Sequence, residues 1–325
     1  MIQVGIVGGT GYVAGELIRV LMYHPEVNVR FVYSHSHAGE EICSIHEDLF
    51  MLKGQKFSGE MDSDVDVLFL SLGHGRSMKF LQEHPFSVRT KIIDLSNDFR
   101  LKGDSHQGRR KFTYGLVEKN REAIVSSENI ANPGCFATAI QLGLLPLADQ
   151  KILHGDIHIH GITGSTGAGR TLSETSHFSW RNNNVSVYKP FDHQHLDEIK
   201  ETLLNCQPEF NRELNFIPLR GDFTRGILTT IYTECDLSEQ ALTQLYKDYY
   251  KDKMFTVVSD LPIHLKQVVN TNYCLLHVEK HGNKVFIVSA IDNLLKGAAG
   301  QAVENMNLMF GFEEDEGLKL KSGYF

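Results

Sequence analysis

An α/β fold is predicted for this chain, with a parallel sheet in the first part and an α+β arrangement in the second. Three observations predict it. A β-rich run from Gln3 to Val7 passes through Gly8-Gly9-Thr10-Gly11-Tyr12-Val13-Ala14 into an amphipathic helix that begins Gly15-Glu16-Leu17-Ile18. Strand, glycine turn and helix in that order open a dinucleotide-binding unit. Val65 to Leu70 and Lys91 to Leu95 are apolar on both faces, as strands of a covered parallel sheet are. Beyond Cys135 the strands fall at Ile157 to Ile162, Asn215 to Pro218, Gly226 to Glu234 and Val285 to Ile291, and His281-Gly282-Asn283 between two β-rich runs marks a hairpin.

The glycine turn makes the first part a Rossmann-type domain. Gly8 permits the tight turn, Gly11 lets the backbone approach a pyrophosphate, and Ala14 allows close helix–strand packing while the helix start faces the phosphates. Thr10, Tyr12 and Val13 complete the cofactor-binding turn. The next strand, Val29 to Tyr33, runs into Ser34-His35-Ser36-His37-Ala38-Gly39 with no acid before Glu40. An NAD-specific fold places a carboxylate there for the ribose 2′-OH. Two hydroxyls, Ser34 and Ser36, and an imidazole suit a 2′-phosphate instead, so NADP is the expected cofactor. Two further strands end in polar loops, Ser71 to Gly75 and Asp94 to Arg100, where open α/β sheets bind ligands. Asp94, Ser96 and Asp98 also suit turn chemistry and helix capping.

Asn132-Pro133-Gly134-Cys135-Phe136-Ala137-Thr138 sets a lone cysteine on a Pro-Gly turn before an apolar helical run, which Pro146 is expected to end. A helix start stabilises a thiolate and can bind an oxyanion. The competing reading is a small buried core thiol. Asp192-His193-Gln194-His195-Leu196-Asp197-Glu198-Ile199 opens another helix, with Asp192 as expected N-cap and Leu196, Ile199 and Leu203 as its buried stripe. His195 has Glu198 one turn on, so a carboxylate can orient its imidazole. His193 is the second candidate acid/base, and no metal is expected, because HxH lacks a third nearby ligand. His158 and His160 share one side of a strand and read as structural. The loop Gly164 to Arg170 reads either as a flexible surface loop or as a wall of the acyl pocket. Arg220, Arg225 and Lys189 can bind carboxylate or phosphate, or stand as solvated charges.

The chain has 325 residues, 42% hydrophobic and 22% charged, enough for two domains. A net charge of −8 argues against nucleic-acid or anionic-membrane surfaces. No apolar run approaches the roughly 20 residues of a membrane span, and the start enters a strand without a leader, so a cytoplasmic protein is expected. Five cysteines without CxxC spacing fit a reducing compartment. The expected domains are 1–134, completed by 293–325, for the nucleotide, and 135–292 for catalysis and oligomerisation. The last helix is expected from Asn293 to about Phe310, and the tail from Glu313 to Phe325 reads as surface or subunit contact.

Together the motifs resemble the N-acetyl-gamma-glutamyl-phosphate reductase family, relatives of aspartate-semialdehyde dehydrogenase. The resemblance spans nearly the whole chain. It is carried by Ala131 to Ala139, Gly11-Tyr12, Asp94-Leu95-Ser96 with Asp98-Phe99-Arg100, Tyr114-Gly115-Leu116, Gly167-Ala168-Gly169-Arg170, Thr224-Arg225-Gly226-Ile227-Leu228, Asp292-Asn293-Leu294 and Lys296 to Gln301. The departures are Gln194 for a common Arg, Gly73 for a common Pro, and Pro218-Leu219-Arg220-Gly221-Asp222-Phe223 for a Pro-His-Leu-Val-Pro-Met-like stretch. The last of these bears on the N-acyl group, since Arg220 suits an extra carboxylate.

The resemblance implies NADPH-dependent reduction of an N-acyl-γ-glutamyl phosphate, within arginine biosynthesis, by a homodimer or homotetramer. It implies Cys135 as nucleophile forming a thioester, His195 or His193 managing protons, and Glu198 orienting. Arg100, Arg225 and Arg220 would hold phosphate or substrate, and Asn293 would lie at the cofactor. The alternatives are the same chemistry on an N-succinyl or other acyl phosphate, and a catalytically silent NADP-binding sensor.

Overall fold

The computed structural model of the protein describes residues 1–324, and Phe325, the end of the predicted tail, lies outside the described residues. The chain forms two compact units. The first comprises Met1–Pro133 and Ala298–Lys319, and the second comprises Gly134–Gly297 with the segment from Leu320 onward.

In the first unit, β1 (Ile2–Val7), β2 (Val27–Tyr33), β3 (Val67–Leu70) and β4 (Lys91–Asp94) are the main strands. Short strands follow: β5 (His106–Gln107) pairs with β6 (Arg110–Lys111), while β7 (Thr113–Tyr114) and β8 (Asn129–Ala131) join the main sheet. The main sheet is parallel throughout, in the order β2-β1-β3-β4-β8-β7. Its strand order reverses at β1 and β3, and ligands of open α/β sheets bind at the carboxyl ends around such a point. Val4, Ile6 and all four residues of β3 are fully buried, which fits the two-sided apolarity of their sequence. Helices α1 (Tyr12–Leu21), α2 (Ser77–Glu83) and α3 (Val117–Val125) belong to this unit, as does the C-terminal helix Ala299–Phe310, which packs on α1 and α3.

Asp94 ends β4 fully buried, and burial raises its carboxyl pKa from 3.8 to about 6, against the opposing Ser96 hydroxyl at 2.6 Å and the nearby Arg100 charge. Between those two pH values the folded chain holds a proton that the unfolded chain has lost. This contribution to stability is therefore complete below pH 3.8 and disappears as pH rises through about 6. At roughly 1.4 kcal/mol per unit it amounts to about 3 kcal/mol. Urea titrations at pH 5 and pH 7.5 check it: Asp94→Asn is expected to shrink the loss of stability between them, and an equal loss in both proteins would remove Asp94 as its source.

The second unit begins with α4 (Cys135–Asp149), whose residues from Phe136 to Ala148 are all buried. Each fully buried Leu or Ile there contributes roughly 1.5–3 kcal/mol. Pro146 does not end this helix as expected. Proline has no N–H for the carbonyl four residues back, and here the Tyr250 hydroxyl donates to that Leu142 carbonyl at 2.5 Å, while Tyr246 donates to the Gly143 carbonyl at 2.6 Å.

Strand β9 (Ile157–Thr163), helix α5 (Phe178–Arg181), β10 (Ser186–Val187), α6 (His195–Cys206), β11 (Leu214–Arg220) and β12 (Ile227–Glu234) follow. After α7 (Glu239–Tyr250) come β13 (Thr256–Ser259), β14 (Cys274–His281) and β15 (Lys284–Ile291), the last two forming the expected hairpin. The mixed sheet runs β10-β11-β9-β12-β15-β14-β13, and α4 packs on β12, β15 and α6. Ile157, Ile159, Ile227, Ile231, Val285 and Ile287 are fully buried. His158 and His160 lie on the less buried side of β9, and His158 stacks on Tyr232 at 4.7 Å.

Two boundaries differ from expectation. Residues 293–298 form turns rather than the start of the last helix, because the Asp292 carboxylate accepts the Leu294 and Leu295 amides and the Asp292 carbonyl accepts that of Gly297. The segment from Leu320 clusters with the second unit, where the Gly323 amide donates to the Val269 carbonyl and Asn270 Nδ2 to the Lys321 carbonyl. Among the described residues no helix is long and apolar enough to cross a membrane.

Candidate active site

Cys135 is the first residue of α4 and is half-buried. Gly134 before it is extended at φ −71° and ψ 150°, supplies no side-chain cap, and no acid lies in the first turn. The partial positive charge of this helix start is thus left for the Cys135 side chain and its ligands. Gly134 also leaves room for an imidazole: a Cβ there would collide with His195. Gly297 meets the thiol side of the turn, since a Cβ on it would stand 2.7 Å from Cys135 Cβ.

Glu198 joins the two halves of this arrangement. Its Oε2 accepts the Gly134 amide at 3.0 Å, and its Oε1 lies 4.0 Å from His195 Nε2. Both side chains are buried on the first turn of α6. The start of α6 is not capped by Asp192 as expected. Gln194 is the N-cap and supplies no side-chain bond, while His193 Nδ1 accepts the His195 amide at 3.2 Å as the unprotonated nitrogen. The His193 ring is held edge-on by Phe136 at 5.6 Å, Tyr188 at 5.8 Å, Phe216 at 5.5 Å and His195 at 4.6 Å.

The three arginines singled out in the sequence have different surroundings. Arg225 grips the fully buried Asp292 with two bonds, Nε to Oδ2 at 3.0 Å and Nη2 to Oδ1 at 3.1 Å. Arg100, in the first unit, is buried and donates from Nε to the Asn132 carbonyl at 2.9 Å and from Nη2 to the Leu95 carbonyl at 3.1 Å. Asn132 is further held through its own amide to the Asp94 carbonyl and through Asn305 Nδ2 at 3.1 Å. Arg100 therefore fixes the backbone three residues before Cys135. Arg220 stands over the Tyr188 ring at 4.6 Å. Asn293 accepts the Gly226 amide at 2.6 Å and donates to Thr166 Oγ1 at 3.1 Å, so both ends of its amide serve the second unit.

In the first unit the glycine turn has the form its sequence requires. Gly8 adopts φ +83°, and a Cβ there would strike the Ser71 backbone. Gly11 is the uncapped N-cap of α1 and a Cβ on it would meet nothing within 4 Å, which leaves open space at a helix start suited to a pyrophosphate. Thr10, Tyr12 and Val13 flank it. Past β2, Ser34 is buried and Ser36 exposed, and the first acid, Glu40, is paired with His37 at 3.2 Å. Among the described residues no cluster of His, Cys, Asp or Glu could hold a metal.

A relative from Flavobacterium johnsoniae named N-acetyl-gamma-glutamyl-phosphate reductase is 57% identical over 325 residues, all of both chains. One of the same name from Christiangramia forsetii is 54% identical, again over the whole of both. The chain belongs to the N-acetyl-gamma-glutamyl-phosphate reductase family. Residues 3–127 match the family model described as semialdehyde dehydrogenase, NAD binding domain, and residues 135–293 that of semialdehyde dehydrogenase, dimerisation domain. A nicotinamide cofactor in the first unit follows. Aspartate semialdehyde dehydrogenase II from Vibrio cholerae, solved with ASA, shares the fold at a TM-score of 0.72 and 18% identity, covering 96% of this chain and 98% of that one.

Sequence reasoning singled out Cys135, His193, His195 and Glu198, and all four lie in the second unit, Cys135 on α4, His195 and Glu198 on α6, and His193 just before α6. It passed over Tyr188, Arg181 and the contact that makes Gly297 obligatory. Tyr188 reaches the site only through the pairing of β10 with β11, in which Ser186 faces Arg220 and Val187 faces Leu219. In this reductase family member the Lys296-Gly297-Ala298-Ala299-Gly300 block was the one sequence signal for Gly297.

Proposed function

We propose that the chain is an NADPH-dependent N-acyl-γ-glutamyl-phosphate reductase of arginine biosynthesis, working on the N-acetyl substrate for which its relatives are named. The observation that carries this reading is Cys135 at the uncapped start of α4, with Glu198 joining Gly134 to His195. A redundant thiol in a silent sensor would not require that arrangement.

Cys135 gives up its proton to His195 and its sulfur attacks the γ-carbonyl carbon. Phosphate leaves with the electrons of the C–O bond, and a thioester remains on Sγ. Amides of the first turn of α4 stabilise the oxyanion that forms on attack and again on reduction. A nicotinamide held by the glycine turn would supply the hydride that reduces the thioester. Collapse of the resulting hemithioacetal oxyanion restores the thiolate and releases the semialdehyde, and His195 returns the proton to sulfur. Glu198 keeps the imidazole on Gly134 throughout. Arg100, besides fixing the Asn132 carbonyl, holds the departing phosphate in this reading, and Arg225, paired with Asp292, contributes to the substrate site.

Within this reading the domains are a nucleotide domain, 1–134 with the C-terminal helix, and a catalytic and oligomerisation domain. The assembly is a homodimer or a homotetramer in the cytoplasm. Gly8, Thr10, Gly11, Tyr12 and Val13 hold the pyrophosphate. Ser34 and Ser36 would hold a 2′-phosphate. kcat/KM is expected to be higher for NADPH than for NADH, and Ser36→Asp is expected to lower it for NADPH alone, by charge repulsion. Equal values for the two cofactors, or full NADPH efficiency in Ser36→Asp, would defeat the assignment. The reaction itself is tested by phosphate-dependent reduction of NADP with N-acetylglutamate semialdehyde.

A further inference from the structure

Arg220 and Arg181 lie side by side on the second unit, on the ends of β11 and α5. Arg181 Nη1 donates to the Arg220 carbonyl at 3.2 Å and its Nη2 to the Thr175 carbonyl at 2.9 Å. Arg181 is 8% exposed. The Nε of each guanidinium is buried without a hydrogen-bond partner. Among the described residues neither forms an ion pair with a carboxylate. Asp222 is felt by Arg181 but accepts the Asn183 amide at 2.7 Å. Arg181 is buried and Arg220 half-buried; two adjacent cations repel each other, and holding them without a counter-charge is costly. Chains keep such a pair where an anion arrives to bridge it, since guanidinium groups bind carboxylates with paired bonds.

The pair also has a definite place relative to the nucleophile. Ring contacts run from His195 to His193 at 4.6 Å, from His193 to Tyr188 at 5.8 Å, and from Tyr188 to the Arg220 guanidinium at 4.6 Å. Tyr188 is itself in the field of Cys135, which together with burial raises its hydroxyl pKa. An extended chain covers about 3.5 Å per three bonds. The α-carboxylate of a bound glutamyl group, four bonds from the reacting carbon, therefore stays within about 5 Å of it. A carboxylate at the end of a four-carbon N-acyl arm reaches about 10 Å, roughly twice as far from the reacting carbon as the α-carboxylate.

We propose that Arg220 and Arg181 form a carboxylate subsite for the N-acyl arm, so that the chain also reduces N-acyl-γ-glutamyl phosphates whose acyl group ends in a carboxylate, of the succinyl type. This rests on the reading that Cys135 attacks an N-acylglutamyl phosphate. Arg220 contacts the carboxylate, and Arg181 positions Arg220 by holding its carbonyl while adding its own charge.

The test uses the full chain with phosphate and NADP, oxidising the semialdehydes of N-succinyl-, N-butyryl- and N-acetylglutamate. Butyryl matches succinyl in length and lacks the charge. The succinyl-to-butyryl ratio of kcat/KM is expected to be about 30 or more, the range for removing one partner of a buried charge pair. Arg220→Met is expected to bring that ratio near unity, and Arg220→Lys to leave it between the two. A ratio at or below unity in the unaltered protein overturns the proposal without recourse to any variant. So does an Arg220→Met protein that loses all three substrates in equal proportion, which would make Arg220 a holder of the α-carboxylate or phosphate. Failure of all three semialdehydes to support phosphate-dependent reduction would instead sink the underlying reaction.

Discussion

Cys135→Ser is expected to lower turnover of the acyl phosphate by at least roughly 10³-fold while leaving NADPH binding near normal. The reason lies at the start of α4. A helix dipole and uncapped amides can bring a thiol to its anion near neutral pH, whereas a serine hydroxyl starts too far from ionisation for the same field to suffice. Nothing replaces the lost nucleophile nearby, because Cys206, Cys235 and Cys274 are buried elsewhere in the unit. Cofactor binding is expected to persist because the NAD binding domain, residues 3–127, lies in the other unit. Intact-protein mass spectrometry of the unaltered chain, mixed with acyl phosphate in the absence of NADPH, reads the intermediate directly. A thioester adduct on Cys135 is the expected result, and its absence under single-turnover conditions would remove the covalent route.

The parts of this site that were legible in the sequence are those fixed by local sterics. Gly8 had to be glycine because its φ is +83° and the Ser71 backbone fills the space of a Cβ. The parallel sheet was legible because β3 is buried on both faces and its sequence is uniformly apolar. What was not legible depends on partners distant in the chain. Pro146 reads as a helix stop until Tyr250, 108 residues from Leu142, is seen to donate to the carbonyl that proline leaves bare. Asp192 reads as the cap of α6 until the His193 ring turns its Nδ1 onto the His195 amide, a choice set by Phe136, Tyr188 and Phe216. Arg225 reads as a cation without a partner in the chain until Asp292 is found in its fork. Arg220 differs from it in having no such carboxylate, and only the register of β10 on β11 sets Tyr188 diagonally beside it.

That division of labour between the two histidines sets the last expected result. His195→Asn is expected to lower kcat by about 10²–10⁴-fold, the usual contribution of a positioned acid/base. His193→Asn is expected to cost less, because its carboxamide oxygen can still accept the His195 amide that His193 Nδ1 accepts now. Glu198→Gln separates orientation from charge. Its amide oxygen can keep the Gly134 bond, but the carboxylate that favours the imidazolium 4.0 Å away is gone. Its kcat is expected between those of the unaltered protein and His195→Asn, with KM little changed. The pH–rate profiles carry the decision. The acid limb of kcat/KM should vanish in His195→Asn and persist in His193→Asn, and in Glu198→Gln it should move to lower pH, because the imidazolium loses its stabilising charge. If His193→Asn, folded and binding NADPH, loses more turnover than His195→Asn and takes the acid limb with it, the proton is carried by His193 and its contact with the His195 amide is incidental.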